Sequence, residues 1–133
     1  MRANPETTEA IQALVHETYR RLSTPDSDSG AVFEHPDMTI AGSGQGELFY
    51  QADDIAALAT AASSWGFPWT ADEIRVWQEG DVAWAQVLGS VRTHRDGIED
   101  VVPYWTTGIF ARDADGWHWR YWGGAEPQEH PRV

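Results

Sequence analysis

Three residues of this chain have side chains suited to moving a proton: Tyr19, His35 and Asp37. A phenol donates a hydrogen bond or a proton, and a histidine two positions from a carboxylate can share one with it. Each also has a quieter reading. Tyr19 falls on the apolar stripe of a predicted helix, where a tyrosine is either core with its hydroxyl satisfied or a donor into a pocket. His35 and Asp37 flank Pro36, as an acid–base pair at a cavity mouth or as a solvated loop. HETYR (16–20) opens like a zinc-protease helix but has no second histidine, so it offers no two ligands on one face. The histidines (16, 35, 94, 118, 130) are dispersed and cysteine is absent, so no metal is expected. GSGQGE (42–47) lacks the lysine of a phosphate cradle and reads as a glycine turn between strands.

The aromatic residues suggest binding instead. Trp65 and Trp69 bracket Pro68 at the end of a predicted helix, where they can line a cavity mouth. Period-two alternation puts Trp84 and Arg92 on one strand face. Arg92 then either holds an anionic or carbonyl group or pairs with Asp96 or Glu99 at the surface. Trp105, Thr107 and Ile109 share a face opposite Tyr104, Thr106 and Phe110. In GWHWRYW (116–122), the same alternation sets Trp117, Trp119 and Tyr121 against His118, Arg120 and Trp122.

Composition narrows the partners. The formal charge is −12, from 21 acids against nine bases, all of them arginine and scattered. That balance repels nucleic acid and anionic membranes. MRANPETTEA has one arginine and no apolar run, so no secretory signal is expected, and no apolar stretch is long enough to span a bilayer. A cytoplasmic protein of one domain (1–133) is the expectation.

Helices come first. In NPETTEAIQALVHETYRRL, Asn4 caps a helix with Pro5 at its first position, and Ile11, Leu14, Val15, Tyr19 and Leu22 form its apolar stripe. AVFEHP holds a short helical turn. ADDIAALATAASSWG is a second helix, capped by Asp53 or Asp54, with Ile55, Leu58, Ala59, Ala62 and Trp65 on one face and Gly66 and Pro68 ending it. DMTIAG, GELFY, DEIRVWQE, VAWAQVLGSVRT, EDVVPYWTTGIFAR and GWHWRYW read as strands, joined by EGD, HRDG and DADG turns. Gly89 and Gly108 mark bends in the longest two. The order predicts an α+β domain with helices on one face of a bent sheet.

MTIAGSGQGELFYQADDI, with Glu47 after its glycine turn, EGDVAWAQV and TTGIFARDADGWHWRYW together resemble the SnoaL-like branch of the nuclear-transport-factor-2-like superfamily. The resemblance spans about 5–127. It implies a cone of curved, mostly antiparallel mixed sheet, about six strands wrapped around N-terminal helices, and a homodimer joined through the sheet. It also implies a cavity for a small apolar or aromatic ligand, without cofactor, and points the Thr107 face inward. Relatives include isomerases, cyclases, dehydratases and inert association modules. Two carboxylates of ketosteroid isomerases fall here near Gly42 and Thr107 and are missing, and a histidine common on the last strand is Gly123. Tyr19 matches the helix tyrosine of those enzymes. The readings are therefore acid–base catalysis on an apolar substrate, with Tyr19 as donor and His35 or Asp37 as base, and a non-catalytic ligand-binding or dimeric module. The ligand would meet Trp65, Trp69, Trp84, Arg92, Trp105, Thr107 and Trp119, and the dimer would form on His118, Arg120 and Trp122. A third reading, sugar binding, requires the tryptophans in an exposed row.

Overall fold

The computed structural model describes residues 1–129; His130 and Arg132 lie outside the described residues. Helix α1 (Pro5–Leu22) starts as its sequence dictates: the Asn4 side chain accepts from the Thr7 N–H at 2.8 Å, and Pro5 needs no donor partner at the first position. Ile11, Val15, Tyr19 and Leu22 are its buried stripe. A short 3-10 turn (Ser29–Phe33) follows, and then β1 (Thr39–Ala41), β2 (Leu48–Phe49) and helix α2 (Ala52–Ser64). Asp53 and Asp54 lie in the first turn of α2 rather than capping it; the cap position is Gln51, without a side-chain bond. Trp65 also departs from expectation, being 61% exposed at the end of α2 instead of on its buried face. Gly66 takes a φ of +66° that a Cβ would strain, and the helix ends there.

Four long strands form the rest: β3 (Trp69–Glu79), β4 (Val82–Arg95), β5 (Ile98–Asp113) and β6 (Gly116–Ala125). The sheet order is β2-β1-β6-β5-β4-β3, antiparallel except where β1 runs parallel to β6. This is the α+β cone, a mixed six-stranded sheet whose helices cover one face. Among the described residues no helix is long and apolar enough to cross a membrane.

Two bulges break strict alternation, each beside one of the mid-strand glycines. Asp72 is the extra residue where Ala71 pairs with Gly89 and Glu73 with Leu88. Arg120 is the extra residue where Ile109, next to Gly108, pairs with Tyr121 and Phe110 with Trp119. The second bulge shifts the pattern of β6 by one, so Trp119 and Trp122 both point inward, 1% and 5% exposed. Trp122 therefore belongs to the interior and not, as period two predicts, to the outer face with His118 and Arg120.

The faces of β4 and β5 are settled by burial. Ala83, Ala85, Val87 and Val91 on β4, and Tyr104, Thr106 and Phe110 on β5, are buried under the helices. Trp105 and Ile109 are 49% and 38% exposed on the opposite face, and Thr107 is exposed with them. The inward orientation expected for the Thr107 set is thus reversed. On β4 small residues, Ala83 and Ala85, mark the covered face and make room for the helices, while the rings of Tyr104, Phe110, Trp119 and Trp122 fill it on β5 and β6.

Candidate functional site

Between α2 and the inner face of the sheet lies an open cavity of about 560 Å³. That volume is ordinary for a small-molecule site. Several bonds hold its walls in place. The Ser23 hydroxyl, at the end of α1, donates to the Tyr19 carbonyl at 2.7 Å and accepts the Trp69 N–H at 2.8 Å, which fixes the start of β3 against the helix. The buried Ser29 hydroxyl lies 2.8 Å from the Ala59 carbonyl and 3.0 Å from the Ser63 hydroxyl, tying α2 to the 3-10 turn.

Aromatic rings make up much of the lining. Trp69 meets Tyr104 edge to face at 4.9 Å and Trp122 at 6.0 Å. Such pairs add about 0.5–1.5 kcal/mol each beyond the area they bury. Near the mouth Trp65 stacks on Phe67 at 5.5 Å, and the Arg95 guanidinium sits over both rings.

Polar groups enter this wall at two ends. Arg95 and Asp100 stand where β4 turns into β5. Tyr104, Ser43, Glu47 and Glu126 stand where the β1–β2 turn meets the end of β6. A Cβ built on Gly42 or Gly44 would land on the Glu47 carboxylate, so the glycine turn leaves the space into which this side chain folds back. A Cβ on Gly124 would likewise land on the Tyr104 hydroxyl. The Trp122 indole N–H donates to that hydroxyl at 3.5 Å, a long bond. The Ser43 side chain meets the same hydroxyl. Burial pushes the Tyr104 phenol above its ordinary 10.0, against the pull of Trp122 and Ser43, and the charges of Glu47 and Glu126 reinforce the rise. A phenol is protonated at neutral pH, so the Tyr104 hydroxyl carries a proton to donate.

The residues singled out from sequence are distributed differently. Trp65 and Trp69 line the cavity. Tyr19 does not; it lies among the rings of Trp69 and Trp122, 3% exposed, with its hydroxyl 2.7 Å from the Thr106 hydroxyl. Burial raises its pKa, the Thr106 bond opposing. This is the core reading of that tyrosine. His35 accepts the Asp37 N–H through Nδ1 at 3.0 Å in the loop before β1, and neither residue lines the cavity. Trp119 is core, donating to the Thr18 hydroxyl at 3.0 Å and packed on Phe110 at 4.4 Å. Trp84, Arg92, Trp105 and Thr107 stand on the outer face. Arg92 faces Glu99 at 4.0 Å, the surface pair weighed from sequence. Among the described residues two tryptophans, Trp65 and Trp105, are largely exposed, and the row that sugar binding requires is lacking. Tyr104, Glu47, Glu126 and Trp122 were not singled out for the cavity. The signals were there: glycines spaced to admit Glu47, and Gly124 opposite the tyrosine.

Architecture and cavity together define an α+β cone of the nuclear-transport-factor-2-like kind. Residues 11–124 match the model of the SnoaL-like domain, and the chain belongs to that family. Solved structures agree on the fold. A nuclear transport factor 2-like superfamily protein from Salmonella enterica serovar Typhimurium superposes with a TM-score of 0.82 at 13% identity, over 98% of this chain and 97% of that one. A candidate dehydratase of the NTF2-like family from Streptomyces avermitilis gives 0.80 at 12% identity, over 93% and 99%. The calcium/calmodulin-dependent kinase II hub of S. rosetta gives 0.75 at 17% identity, over 96% and 100%. A comparison with curated protein sequences found no match.

Proposed function

We propose that the cavity takes a small, mostly apolar organic molecule and carries out acid–base chemistry on it without a cofactor, as an isomerase, dehydratase or cyclase would. The observation that carries this reading is that Glu47 and Tyr104 enter one aromatic cavity together. A carboxylate is ready to accept a proton, and a protonated phenol is ready to polarise a carbonyl. Glu47 fills the space that a side chain at Gly42 would occupy. It thus brings a carboxylate to the place where the isomerase resemblance puts a base. In a carbonyl substrate, Glu47 would take a proton from the carbon next to the carbonyl. Tyr104 would stabilise the oxygen as its charge grows, and the proton would return to carbon from Glu47.

Exchange of the protons beside the carbonyl of tetralone in deuterium oxide, followed by NMR, tests this reading. The protein should accelerate the exchange, and Tyr104→Phe and Glu47→Gln should each remove about 10²-fold of that acceleration. No acceleration, or acceleration indifferent to both substitutions, would overturn it.

A second reading concerns assembly, and the outer sheet face favours it. Register places Trp84, Ile109 and Tyr121 side by side across β4, β5 and β6, with Leu88 beside Trp105 two rows along, past Gln86 and Thr107. This half-exposed apolar patch, edged by the partly exposed His118 and Arg120, suits a second copy of the chain. Light scattering after size exclusion should give twice the chain mass, and Trp105→Glu should return the monomer. A wild-type monomer at high concentration would contradict it.

A further inference from the structure

Among the described residues, the charges at the end of the cavity where the β1–β2 turn meets β6 are all of one sign. Glu47 and Glu126 both lie close enough to the Tyr104 hydroxyl to raise its pKa, and among the described residues no arginine or histidine lines that end. Arg95, the one cation in the lining, stands at the opposite end beside Asp100, where it lies over Trp65 and Phe67. These two carboxylates make no ion pair among the described residues. They line the same cavity as the rings of Trp69, Tyr104 and Trp122, whose centroids lie 4.9, 6.0 and 6.4 Å apart. Tyr104 is only 9% exposed, and its hydroxyl, met by the Trp122 indole N–H at 3.5 Å and by Ser43, stands at this end of the cavity.

Aromatic faces beside carboxylates are the chemistry that recognises an ammonium group: the rings attract a cation through their quadrupoles, and the carboxylates supply charge and acceptors. A carboxylate-bearing ligand would meet two like charges in the same place. We infer that the cavity selects a cationic ligand, an aromatic or alicyclic amine whose nitrogen lies beside Glu126 at this end of the cavity. This rests on the cavity reading above and assigns its ligand class. Glu126 anchors the nitrogen, which leaves Glu47 for the proton transfer.

Isothermal titration calorimetry with naphthylethylamine, naphthylethanol and naphthylacetate tests the inference, since the three share a ring and differ in head group. The amine should bind about tenfold more tightly than the alcohol, and the carboxylate most weakly. Raising the salt should narrow that preference without abolishing alcohol binding. Glu126→Gln, whose side chain is exposed, should bring amine and alcohol to similar affinities while leaving the melting temperature unchanged. Binding of the alcohol or carboxylate as tight as that of the amine would overturn the charge inference and leave the cavity reading standing. Failure of all three to bind would overturn both.

Discussion

Trp119 and Trp122 are three residues apart on one strand, yet their rings lie 5.2 Å from each other on the same face of the sheet. Regular alternation would put them on opposite faces. The extra residue Arg120 turns the second tryptophan inward and gives the cavity one of its walls.

The two rings should therefore separate stability from binding. Trp119→Ala removes a 1% exposed side chain and its bond to Thr18, and should cost about 3–5 kcal/mol in chemical unfolding. Trp119→Phe should keep most of that stability and leave ligand affinity unchanged, whereas Trp122→Phe should weaken ligand binding.

The donor assignment is open to a direct contest between two tyrosines. Tyr19→Phe deletes one buried hydrogen bond, to Thr106, and should cost about 1 kcal/mol with no change in tetralone exchange. A fall in exchange equal to that of Tyr104→Phe would return the donor role to Tyr19.

Sequence legibility followed the physics of each element. Helix α1 was legible from Asn4 to Leu22, because capping and a period of 3.6 are local signals. The hairpins were legible from their Asp and Gly turns. Which face of β5 points inward was not, since Tyr104–Thr106 and Trp105–Thr107 are almost equally apolar. The inner side is set by the helices stacked on it, with Ala83, Ala85 and Gly108 as the discriminating small residues. The face of Trp122 could not be read by counting twos, because a bulge arises from pairing with a partner strand. Glu47 was visible only as part of a turn. Its role depends on β1–β2 and β6 meeting at one end of the cavity.

Positioning of the Tyr104 hydroxyl can be tested without touching that residue. In Gly124→Ala the new methyl occupies the hydroxyl's place, so the ring must move. The expected outcome is weaker ligand binding and slower tetralone exchange, with a melting temperature closer to wild type than that of Trp119→Ala. Unchanged exchange would show that the hydroxyl's place is not used.

One pH dependence follows from an exposed cluster. Arg20 and Arg21 hydrogen-bond the Glu17 carboxylate and lower its pKa from 4.5 to about 2. The folded pKa is depressed, so the stabilising contribution is present above the ordinary value and lost as pH falls through the folded one. Wild type and Glu17→Gln should thus differ in melting temperature at neutral pH, and the difference should shrink between pH 4.5 and about 2. Solvent screening keeps it small. A constant difference across that range would contradict the assignment.

The central claim is that the aromatic cavity under α2 binds the ligand and the outer sheet face does not. The indole N–H signals of the eight tryptophans report both faces at once in a single NMR titration with naphthylethanol. Binding in the cavity predicts shifts at Trp65, Trp69 and Trp122, with Trp84 and Trp105 unmoved. Shifts confined to Trp84 and Trp105 would contradict it.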